Sequence, residues 1–398
     1  MKRFVVIGIT DRPQPWFPPE IMEAIRGGRV FSGGRRHHEI VAPLLPPGAI
    51  WIDITGNLDH VFAQYTADEI VVFASGDPWF FGFANTIRRR MPDAEMEVWP
   101  AFNSLQMLAH QLEMGYEDMR VVSLTGRDWP ALDRALIEGA GKIGVLTDRT
   151  HSPAAIARRM LEYGYCDYRL YVGEHLGNPV LEKVTELSLE EAARSETAMP
   201  NCVMIVGERL RRRQFGVPDK AFTRLDGRDR MITKMPVRLL ALQKLELASR
   251  RVLWDIGFCT GSVSIEARRM FPHLQVVAFE IRRECEAIIQ ENARKMGTPG
   301  IDIHIGDFME TDLADLPRPD AVFIGGHGGR LKEMMARVLT AMTDDGVIVM
   351  NSVVAPKVIT DSRKLWTEAC MELGLRQESP LHVQIDDNHP ITILKCKR

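Results

Sequence analysis

The sequence predicts an α/β protein of two domains, and three observations support this. The chain has 398 residues, more than one hydrophobic core usually organises. Apolar, β-branched runs such as Phe4 to Ile7 and Ile70 to Ala74 alternate with helical patterns, which is typical of βαβ units and mostly parallel sheets. The alternation lapses in a polar, basic stretch with several turn formers at 209–229. We therefore expect domains at 1–208 and 230–398, joined by a linker at 209–229.

The composition is that of an ordinary globular protein. Apolar residues make up 45% of the chain and charged residues 26%, with a formal net charge of -3, so nonspecific binding to nucleic acid is not expected. The apolar run in the opening MKRFVVIGIT is too short for a signal peptide, and no later run approaches the roughly 20 apolar residues of a membrane span. We expect a cytoplasmic protein with no membrane partner. The run Arg211 to Arg213 is either a solvated part of the linker or a contact for an anionic partner.

The cysteines and histidines do not indicate a metal site. Six cysteines are spread along the chain without a C-x-x-C pair, which argues against a zinc site and against a disulfide framework. His37 and His38 have no acid or thiol at ligand spacing. We expect reduced core thiols and no bound metal.

The second half contains a glycine-rich turn between a strand and a helix. The predicted strand Arg251 to Ile256 runs into Gly257-Phe258-Cys259-Thr260-Gly261, and Ser262 to Met270 has a helix-forming composition. Glycine lets the backbone approach a ligand closely, and a helix N-terminus offers unpaired N–H groups. From these residues alone, the segment is either a site for a nucleotide-like ligand or an ordinary turn.

Three further predicted strands end in an acid or in glycine. The strand after the turn ends in Glu280, the next in Gly306-Asp307, and the next in Gly325 to Gly329. Ligands of open parallel sheets bind at the carboxyl ends of the strands, so the coincidence favours a site there. The alternatives are a helix cap for Asp307 and a surface position for Glu280.

This pattern resembles the class I S-adenosylmethionine methyltransferases. Their motif has an acid ahead of G-x-G-x-G, an acid ending the second strand and an acid after the third; here Cys259 takes the middle glycine position. The resemblance implies a Rossmann-like class I domain that binds S-adenosyl-L-methionine. The donor contacts that it implies are Thr233, Asp255, Gly257, Thr260, Gly261, Glu280, Gly306 and Asp307.

The first half carries a different glycine signal. A buried strand from Val71 runs into Gly76-Asp77-Pro78, followed by Trp79, Phe80 and Phe81. Gly76 permits a close backbone approach and Pro78 stiffens the turn, while the aromatic residues either form the wall of a flat ligand's site or plug the turn.

The order of segments in this half resembles the tetrapyrrole methylases, which are class III methyltransferases. Gly8 ends an opening strand, Ser32 to His37 is similar to the G-G-x-R-H segment of corrin-pathway members, and Pro100 to Ser104 stands where P-G-x-S-S is expected. Ala101 replaces the glycine of that turn. The resemblance implies a class III α/β domain. The donor contacts that it implies are Gly8, Gly76, Asp77, Pro78 and Ser104.

Joined, the halves resemble a family of two-domain methyltransferases of cobalamin biosynthesis. Met231 to Arg238 is similar to its M-T-K-x-x-V-R segment, and Phe323 to Gly329 to its F-I-G-G-S-G-G, with His327 at the serine position. The resemblance implies a precorrin-6Y-type tetrapyrrole substrate, methylated at C5 by the first domain and at C15 by the second. The second domain also removes carbon dioxide from the C12 acetate, which gives precorrin-8. We also expect a homo-oligomer.

The substrate carries many carboxylates, so cations near these motifs are expected to bind it. The expected substrate-binding residues are Arg35, Arg36, His37, Lys234 and Arg238. Arg238 is alternatively an exposed helix residue, and Arg36 a surface ion-pair partner. No catalytic acid or base stands out.

Two other classes stay open. A nucleic-acid methyltransferase would use the same donor crevice, but the chain has no N-P-P-Y tetrapeptide and no basic arm. A noncatalytic half that binds the donor and regulates a single active half is the other alternative, since Thr10 and Cys259 stand at positions where glycine is expected.

Overall fold

The computed structural model describes residues 2–209, 213–228, 231–353, 362–385 and 390–398. They divide into two compact units. The first consists of the described residues within 1–128, 140–159 and 166–210, and the second of those within 129–139, 160–165 and 211–398.

A parallel sheet forms one half of the first unit. Its strands are β1 (Arg3–Ile9), β2 (Val30–Gly33), β3 (Ile50–Asp53), β4 (Glu69–Ser75) and β5 (Glu95–Trp99), in the order β3-β2-β4-β1-β5. All pairs in this sheet are parallel. Phe4 and Val6 pack in one core cluster, while Val5 and Ile7 pack in another. Successive side chains of a strand point to opposite faces, so the continuous apolar run reflects a sheet that is buried on both faces.

The second sheet of this unit is mostly antiparallel. Its strands are β6 (Arg120–Ser123), β7 (Lys142–Leu146), β8 (Tyr168–Glu174), β9 (Lys183–Leu187) and β10 (Asn201–Gly207), in the order β6-β7-β10-β8-β9. Only β6 and β7 pair in parallel. The expectation of mostly parallel sheets is therefore wrong here. Antiparallel strands need no crossover helix, and the helix between β9 and β10 has only four residues.

The helices described between residues 2 and 209 are α1 (Pro19–Gly27), α2 (Arg35–Val41), α3 (Leu58–Gln64), α4 (Phe83–Arg90), α5 (Ser104–Gln111), α6 (Pro130–Glu138), α7 (Pro153–Glu162) and α8 (Leu189–Ala192). The helix α5 begins where Asn103 accepts a hydrogen bond from the backbone N–H of Gln106 while the Gln106 side chain accepts one from the Asn103 N–H. This capping box satisfies N–H groups that a helix otherwise leaves unpaired. It fixes Ser104 at the first helical position.

The second unit is an open sheet with the topology of a nucleotide-binding fold. Its strands are β11 (Val252–Ile256), β12 (Gln275–Glu280), β13 (Ile301–Ile305), β14 (Ala321–Ile324), β15 (Val347–Val353), β16 (Arg376–Gln377), β17 (Leu381–Val383) and β18 (Ile391–Lys397). The order is β13-β12-β11-β14-β15-β18-β16, with β17 paired to β18. The first five strands pair in parallel, and β18 is antiparallel to β15. From β11 the chain goes first to one side and then to the other, so the strand order reverses between β11 and β14.

The helices described in this part of the chain are α9 (Met235–Lys244), α10 (Ser262–Met270), α11 (Glu284–Lys295), α12 (Leu331–Ala341) and α13 (Ser362–Glu372). The described part of the predicted linker, 213–228, packs on this unit. Val217, Phe222 and Leu225 are buried in one cluster with Phe258. The apolar residues between the charged ones thus pack in the core of this unit, although the overall composition of the segment is polar.

The cysteines are mostly core residues, as expected. Five of them are buried free thiols, namely Cys202, Cys259, Cys285, Cys370 and Cys396, whereas Cys166 is exposed. The expectation of a core position is wrong for Cys166, which lies two residues before β8.

Candidate active site

A cavity of about 780 Å³ lies at the carboxyl ends of the strands of the second unit. Its walls come from the segments that follow β11, β12, β13 and β14, from the end of β15 and from the segment before α9. The predicted residues that line it are Thr233, Lys234, Asp255, Gly257, Thr260, Glu280, Gly306 and Asp307. The switch in strand order therefore brings together side chains that the sequence only placed at separate strand ends.

The turn after β11 has the geometry of a glycine loop, although one of its residues is cysteine. Gly257 has φ +80°, and a Cβ there would lie 2.9 Å from the backbone nitrogen of Gly326. Cys259 also adopts the left-handed region, at φ +49°, which disfavours a side chain. Its backbone N–H donates to Glu280 Oε2 at 2.9 Å, and its Sγ donates to the carbonyl of Met231 at 3.3 Å. These contacts hold Cys259 in the backbone conformation of a glycine.

Gly261 does not line the cavity. Its φ is +71°, and a Cβ would lie 2.3 Å from Cγ1 of Ile289 in α11. The absence of a side chain at Gly261 thus lets the start of α10 approach α11 closely, and its contact with the donor stays a prediction.

Glu280 is 3% exposed and holds the two neighbouring loops together. Its carboxylate accepts hydrogen bonds from the backbone N–H groups of Cys259, Ile281 and Arg282, at 2.9, 3.0 and 3.2 Å. The Arg282 guanidinium lies 3.3 Å from Oε2. A surface position, the alternative for Glu280, is therefore wrong, and its contact with ribose hydroxyls stays a prediction.

Three buried polar atoms on the cavity wall, in Asp255, Thr260 and Asn351, have no hydrogen-bond partner among the described residues. Asp255 is fully buried; its Oδ2 accepts from the backbone N–H and the hydroxyl of Ser264, at 3.1 and 2.5 Å, while Oδ1 has no partner. Thr260 Oγ1 is in the same situation. Buried polar groups are normally satisfied, so these atoms fit a polar ligand in the cavity. Burial raises the pKa of Asp255 to about 7.

This raised pKa predicts a pH-dependent stability. Asp255 has a pKa of about 7 in the folded chain against 3.8 ordinarily, so the folded state retains a proton that the unfolded state releases. Its contribution to stability therefore falls as the pH rises from about 4 to about 7 and is constant above that. Since one pKa unit corresponds to about 1.4 kcal/mol, Asp255→Asn should gain stability relative to the parent at pH 8, on the order of 4 kcal/mol.

The measurement is chemical unfolding of the ligand-free full chain and of Asp255→Asn between pH 4 and pH 8. The difference between the two proteins carries the result, because it cancels the titration of all other groups. A difference that is the same at pH 4 and at pH 8 would show that the carboxyl is ionised in the folded protein.

Arg238 is not a substrate contact. Its side chain is fully buried and is not part of the cavity wall. The guanidinium donates to Glu266 Oε2 at 3.2 Å, to the carbonyl of Thr233 at 2.7 Å and to that of Val217 at 2.5 Å. Both the predicted role and the exposed alternative are therefore wrong. Because it pairs with the buried carboxylate of Glu266 in α10, Arg238 links that helix to the segments that precede α9.

Replacing Arg238 by leucine is expected to destabilise the protein by about 3 to 5 kcal/mol, because it leaves the carboxylate of Glu266 buried and uncompensated. Chemical unfolding of the full chain measures this. Arg251→Leu, at an exposed position, is the control and should change stability by less than about 0.5 kcal/mol. If Arg238→Leu instead bound the expected substrate more weakly without any loss of stability, Arg238 would be a substrate contact after all.

The first unit brings together the ends of β1, β4 and β5. A Cβ on Gly8 would lie 2.0 Å from the carbonyl oxygen of Gly76 and 2.6 Å from the backbone nitrogen of Ala101. Gly76 has φ +60°, and a Cβ there would lie 2.7 Å from Cα of Asn103. Asp77 Oδ1 accepts from the backbone N–H of Trp79 at 2.9 Å. The three backbone segments thus pack closely without side chains between them, and the donor contacts at Gly8 and Gly76 stay predictions.

The remaining predicted donor residues of this unit flank that junction. Pro78 follows Asp77 in the same turn, and Ser104 begins α5. Their contacts with the donor stay predictions.

Of the three predicted cations in this unit, two join one polar cluster. Arg36 donates to Asp11 Oδ1 at 2.6 Å and to Ser75 Oγ at 2.9 Å. His37 Nε2 lies 2.9 Å from the same Ser75 Oγ, and its Nδ1 accepts from the backbone N–H of Gly34. Burial lowers the pKa of His37 to about 4, so His37 is neutral at pH 7 and its classification as a cation is wrong.

Arg35 does not belong to this cluster, since it is highly exposed and pairs with Glu39 one turn along α2.

Sequence reasoning missed two members of the cluster. Asp11 follows β1, and its Oδ2 lies 2.7 Å from Nδ1 of His175, which follows β8. The position of Asp11 beside the opening glycine was a usable signal, whereas His175 is 164 residues away and has no motif.

Among the residues that the structure describes, no helix is both long enough and apolar enough to cross a membrane. The same residues contain no group of three or more His, Cys, Asp or Glu side chains that would hold a metal ion.

Comparison with known proteins assigns each half to a family. A model of the tetrapyrrole (corrin/porphyrin) methylases matches residues 20–193, and a model of the precorrin methyltransferase domain matches residues 221–377. The two halves are thus a tetrapyrrole methylase domain and a methyltransferase domain, as the motifs predicted.

One relative matches most of the chain, and two others match less than half of it. The precorrin-6Y C(5,15)-methyltransferase [decarboxylating] of Sinorhizobium sp is 32% identical over 87% of this chain and 84% of its own length. The cobalt-precorrin-6B C(15)-methyltransferase (decarboxylating) of Salmonella typhimurium is 33% identical over 45% of this chain and 95% of its own length. The cobalt-precorrin-7 C(5)-methyltransferase of the same organism is 26% identical over 43% of this chain and 84% of its own length. The similarity to the first relative extends over most of both chains, and the protein therefore belongs to the family of decarboxylating precorrin-6Y C5,15-methyltransferases.

Proposed function

We propose that the protein methylates C5 and C15 of precorrin-6Y and removes carbon dioxide from the C12 acetate, giving precorrin-8, with S-adenosyl-L-methionine as the donor. The observation that carries this proposal is the family relationship over most of the chain. The cavity of the second unit supports it, because three buried polar atoms without a partner among the described residues and a glycine loop line the same space.

We assign C5 methylation to the first domain, and C15 methylation and decarboxylation to the second. Two relatives that are named for one methylation each, at C15 or at C5, match less than half of this chain. The two units also differ at their strand ends. In the first unit, three backbone segments pack closely at Gly8 and Gly76. In the second unit, a cavity is lined by Gly257 and its neighbours. Different geometries of this kind suit two separate sites.

The residues of the second unit fit an adenosyl sulfonium compound. Such a compound supplies an electrophilic methyl group when bound. Glu280 and Asp307 stand at the ends of β12 and β13, where ribose and adenine donors are expected to lie. Asp255 Oδ1 and Thr260 Oγ1 are two buried polar atoms without a partner among the described residues further along the wall. Gly257 keeps the loop free of a side chain, so the ligand can approach the backbone.

The chain's part in the chemistry is alignment. The partially reduced macrocycle supplies an electron-rich carbon, so no side chain has to act as the nucleophile. In-line displacement requires that carbon, the methyl group and the leaving sulfur to lie on one line, and holding them there supplies much of the rate. Lys234 on the cavity wall and Arg36 in the first unit are the cations that we expect to orient the substrate carboxylates.

The test is mass spectrometry of the product made by the purified full chain from precorrin-6Y and donor with an isotopically labelled methyl group. Two labelled methyl groups gained and one carbon dioxide lost are expected. One methyl group gained would favour the alternative of a single active half with a noncatalytic partner half. No change in mass would contradict the function. A cytoplasmic location and a homo-oligomer stay predictions.

A further inference from the structure

The cavity of the second unit has a second polar wall. In the sheet order, the predicted donor residues other than Thr233 lie at or after the ends of β11, β12 and β13, on one side of the switch point. His327 and Asn351 line the same cavity from the other side, after β14 and at the end of β15. Ile324 pairs with Met350, so the two segments that carry these side chains leave the sheet side by side.

His327 presents a neutral N–H group. Its Nδ1 accepts a hydrogen bond from the backbone N–H of Gly329 at 3.2 Å, so the proton of the ring lies on Nε2. Nε2 lies 3.4 Å from Ser362 Oγ, which is a long contact that a better acceptor can replace. Burial lowers the pKa of His327 below its ordinary value. At pH 7 the imidazole is therefore an uncharged donor.

Asn351 carries an unused polar atom. Its Oδ1 is buried and has no hydrogen-bond partner among the residues that the structure describes. A buried amide oxygen without a partner is costly, and such groups in a native cavity point to a ligand. A half-turn of the carboxamide exchanges the oxygen and the NH₂ group, so Asn351 is able to present a donor to the cavity.

Each cation of the cavity wall lies near a carboxylate of the chain. Lys234 lies 3.9 Å from Asp219, Arg282 lies 3.3 Å from Glu280, and Arg330 lies 2.6 Å from Asp307. No other lysine or arginine lines the cavity within the described part of the chain. Arg330 itself follows β14, but its guanidinium is paired with Asp307 after β13. The side chains of the wall after β14 and in β15 that remain for a further ligand are therefore the neutral groups of His327 and Asn351.

We propose that His327 and Asn351 bind the acetate side chain that is decarboxylated, an inference that rests on the function proposed above. In that step the bond between the methylene carbon and the carboxylate carbon breaks, carbon dioxide leaves, and the electron pair enters the conjugated macrocycle. A proton from water then adds to the methylene carbon, which becomes a methyl group. The negative charge leaves the carboxylate as the bond breaks.

Neutral donors suit this step better than a cation does. A guanidinium or an ammonium group would stabilise the carboxylate of the reactant more than the transition state, in which that charge moves into the ring. An imidazole N–H and a carboxamide NH₂ fix the direction of the acetate with weaker hydrogen bonds. His327 stands where the family segment F-I-G-G-S-G-G has serine, which is also a neutral donor.

The test measures release of carbon dioxide from precorrin-6Y by full-length variants, with C5 methylation and donor affinity as readouts of folding. His327→Ala is expected to lower the rate of decarboxylation at least tenfold, and His327→Ser to restore most of it. His327→Lys should bind the substrate more tightly and turn it over more slowly, so KM and kcat fall together. Asn351→Asp should lower the rate further than His327→Ala, because its charge repels the acetate.

Decarboxylation at the parent rate in both His327→Ala and Asn351→Asp would overturn the inference. So would a faster reaction in His327→Lys, or a loss of decarboxylation that merely follows a loss of donor affinity. If the parent protein itself releases no carbon dioxide from precorrin-6Y, the proposed function fails. Unchanged variants of an active parent contradict only the roles of His327 and Asn351.

Discussion

Replacing Glu280 by alanine is expected to abolish methylation at C15, by at least a hundredfold, and to leave methylation at C5 unchanged. The carboxylate accepts hydrogen bonds from three backbone N–H groups in two loops of the cavity wall. Its removal leaves these N–H groups unpaired and no longer holds the turn that contains Cys259. The donor site would then lack both the Glu280 carboxylate and the ordered loop beside it. A hundredfold change in rate corresponds to about 2.7 kcal/mol. Product mass and labelled methyl counts give the result.

Glu284→Ala is the matched control, since Glu284 is an exposed glutamate in the first turn of α11 and should leave both methylations unchanged. Retention of C15 methylation in Glu280→Ala would show that the donor site lies elsewhere. Loss of C5 methylation together with C15 methylation would mean that the two reactions do not belong to separate halves.

The second large effect is expected from Gly76→Arg, which should block C5 methylation and spare C15 methylation. Gly76 has φ +60°, and the Cβ of any side chain would lie 2.7 Å from Cα of Asn103. The substitution therefore displaces the residue that caps α5 and opens the junction between β1, β4 and β5. We expect a loss of at least a hundredfold, measured with the same labelled donor. Asp77→Ala, in the same turn, is expected to block the same reaction.

Gly56→Arg serves as the control in the same unit, because a Cβ at Gly56 meets no heavy atom within 4 Å. Gly56→Arg should leave C5 methylation at the parent rate. If Gly76→Arg also leaves it intact, the strand junction is not the C5 site. If Gly76→Arg removes C15 methylation instead, the assignment of reactions to halves is reversed.

Local patterns predicted the second unit well. The helix expected at Ser262 to Met270 is α10 with the same bounds, and the strand expected at Ile301 to Ile305 is β13. Both are short segments whose apolar spacing and flanking glycines are complete in the sequence. Because all the parallel strands end at one edge, a list of strand ends was enough to predict most of the cavity wall.

Long-range pairing explains what the sequence did not predict. Arg238 has the same local setting as a surface helix residue, and only the fold places Glu266 beside it, 28 residues away. The charge of His37 depends on burial, and the antiparallel pairing of β8 and β10 depends on which strands meet. His175 reaches Asp11 across 164 residues. None of these contacts leaves a periodicity or a spacing in the chain.

The central claim is that one chain holds two sites for the same methyl donor, and calorimetric titration of the full-length protein with S-adenosyl-L-methionine tests it most directly. The account predicts two sites in the parent protein, one in Glu280→Ala, one in Gly76→Arg and none in the double variant. A single site in the parent, removed by either substitution alone, would contradict it.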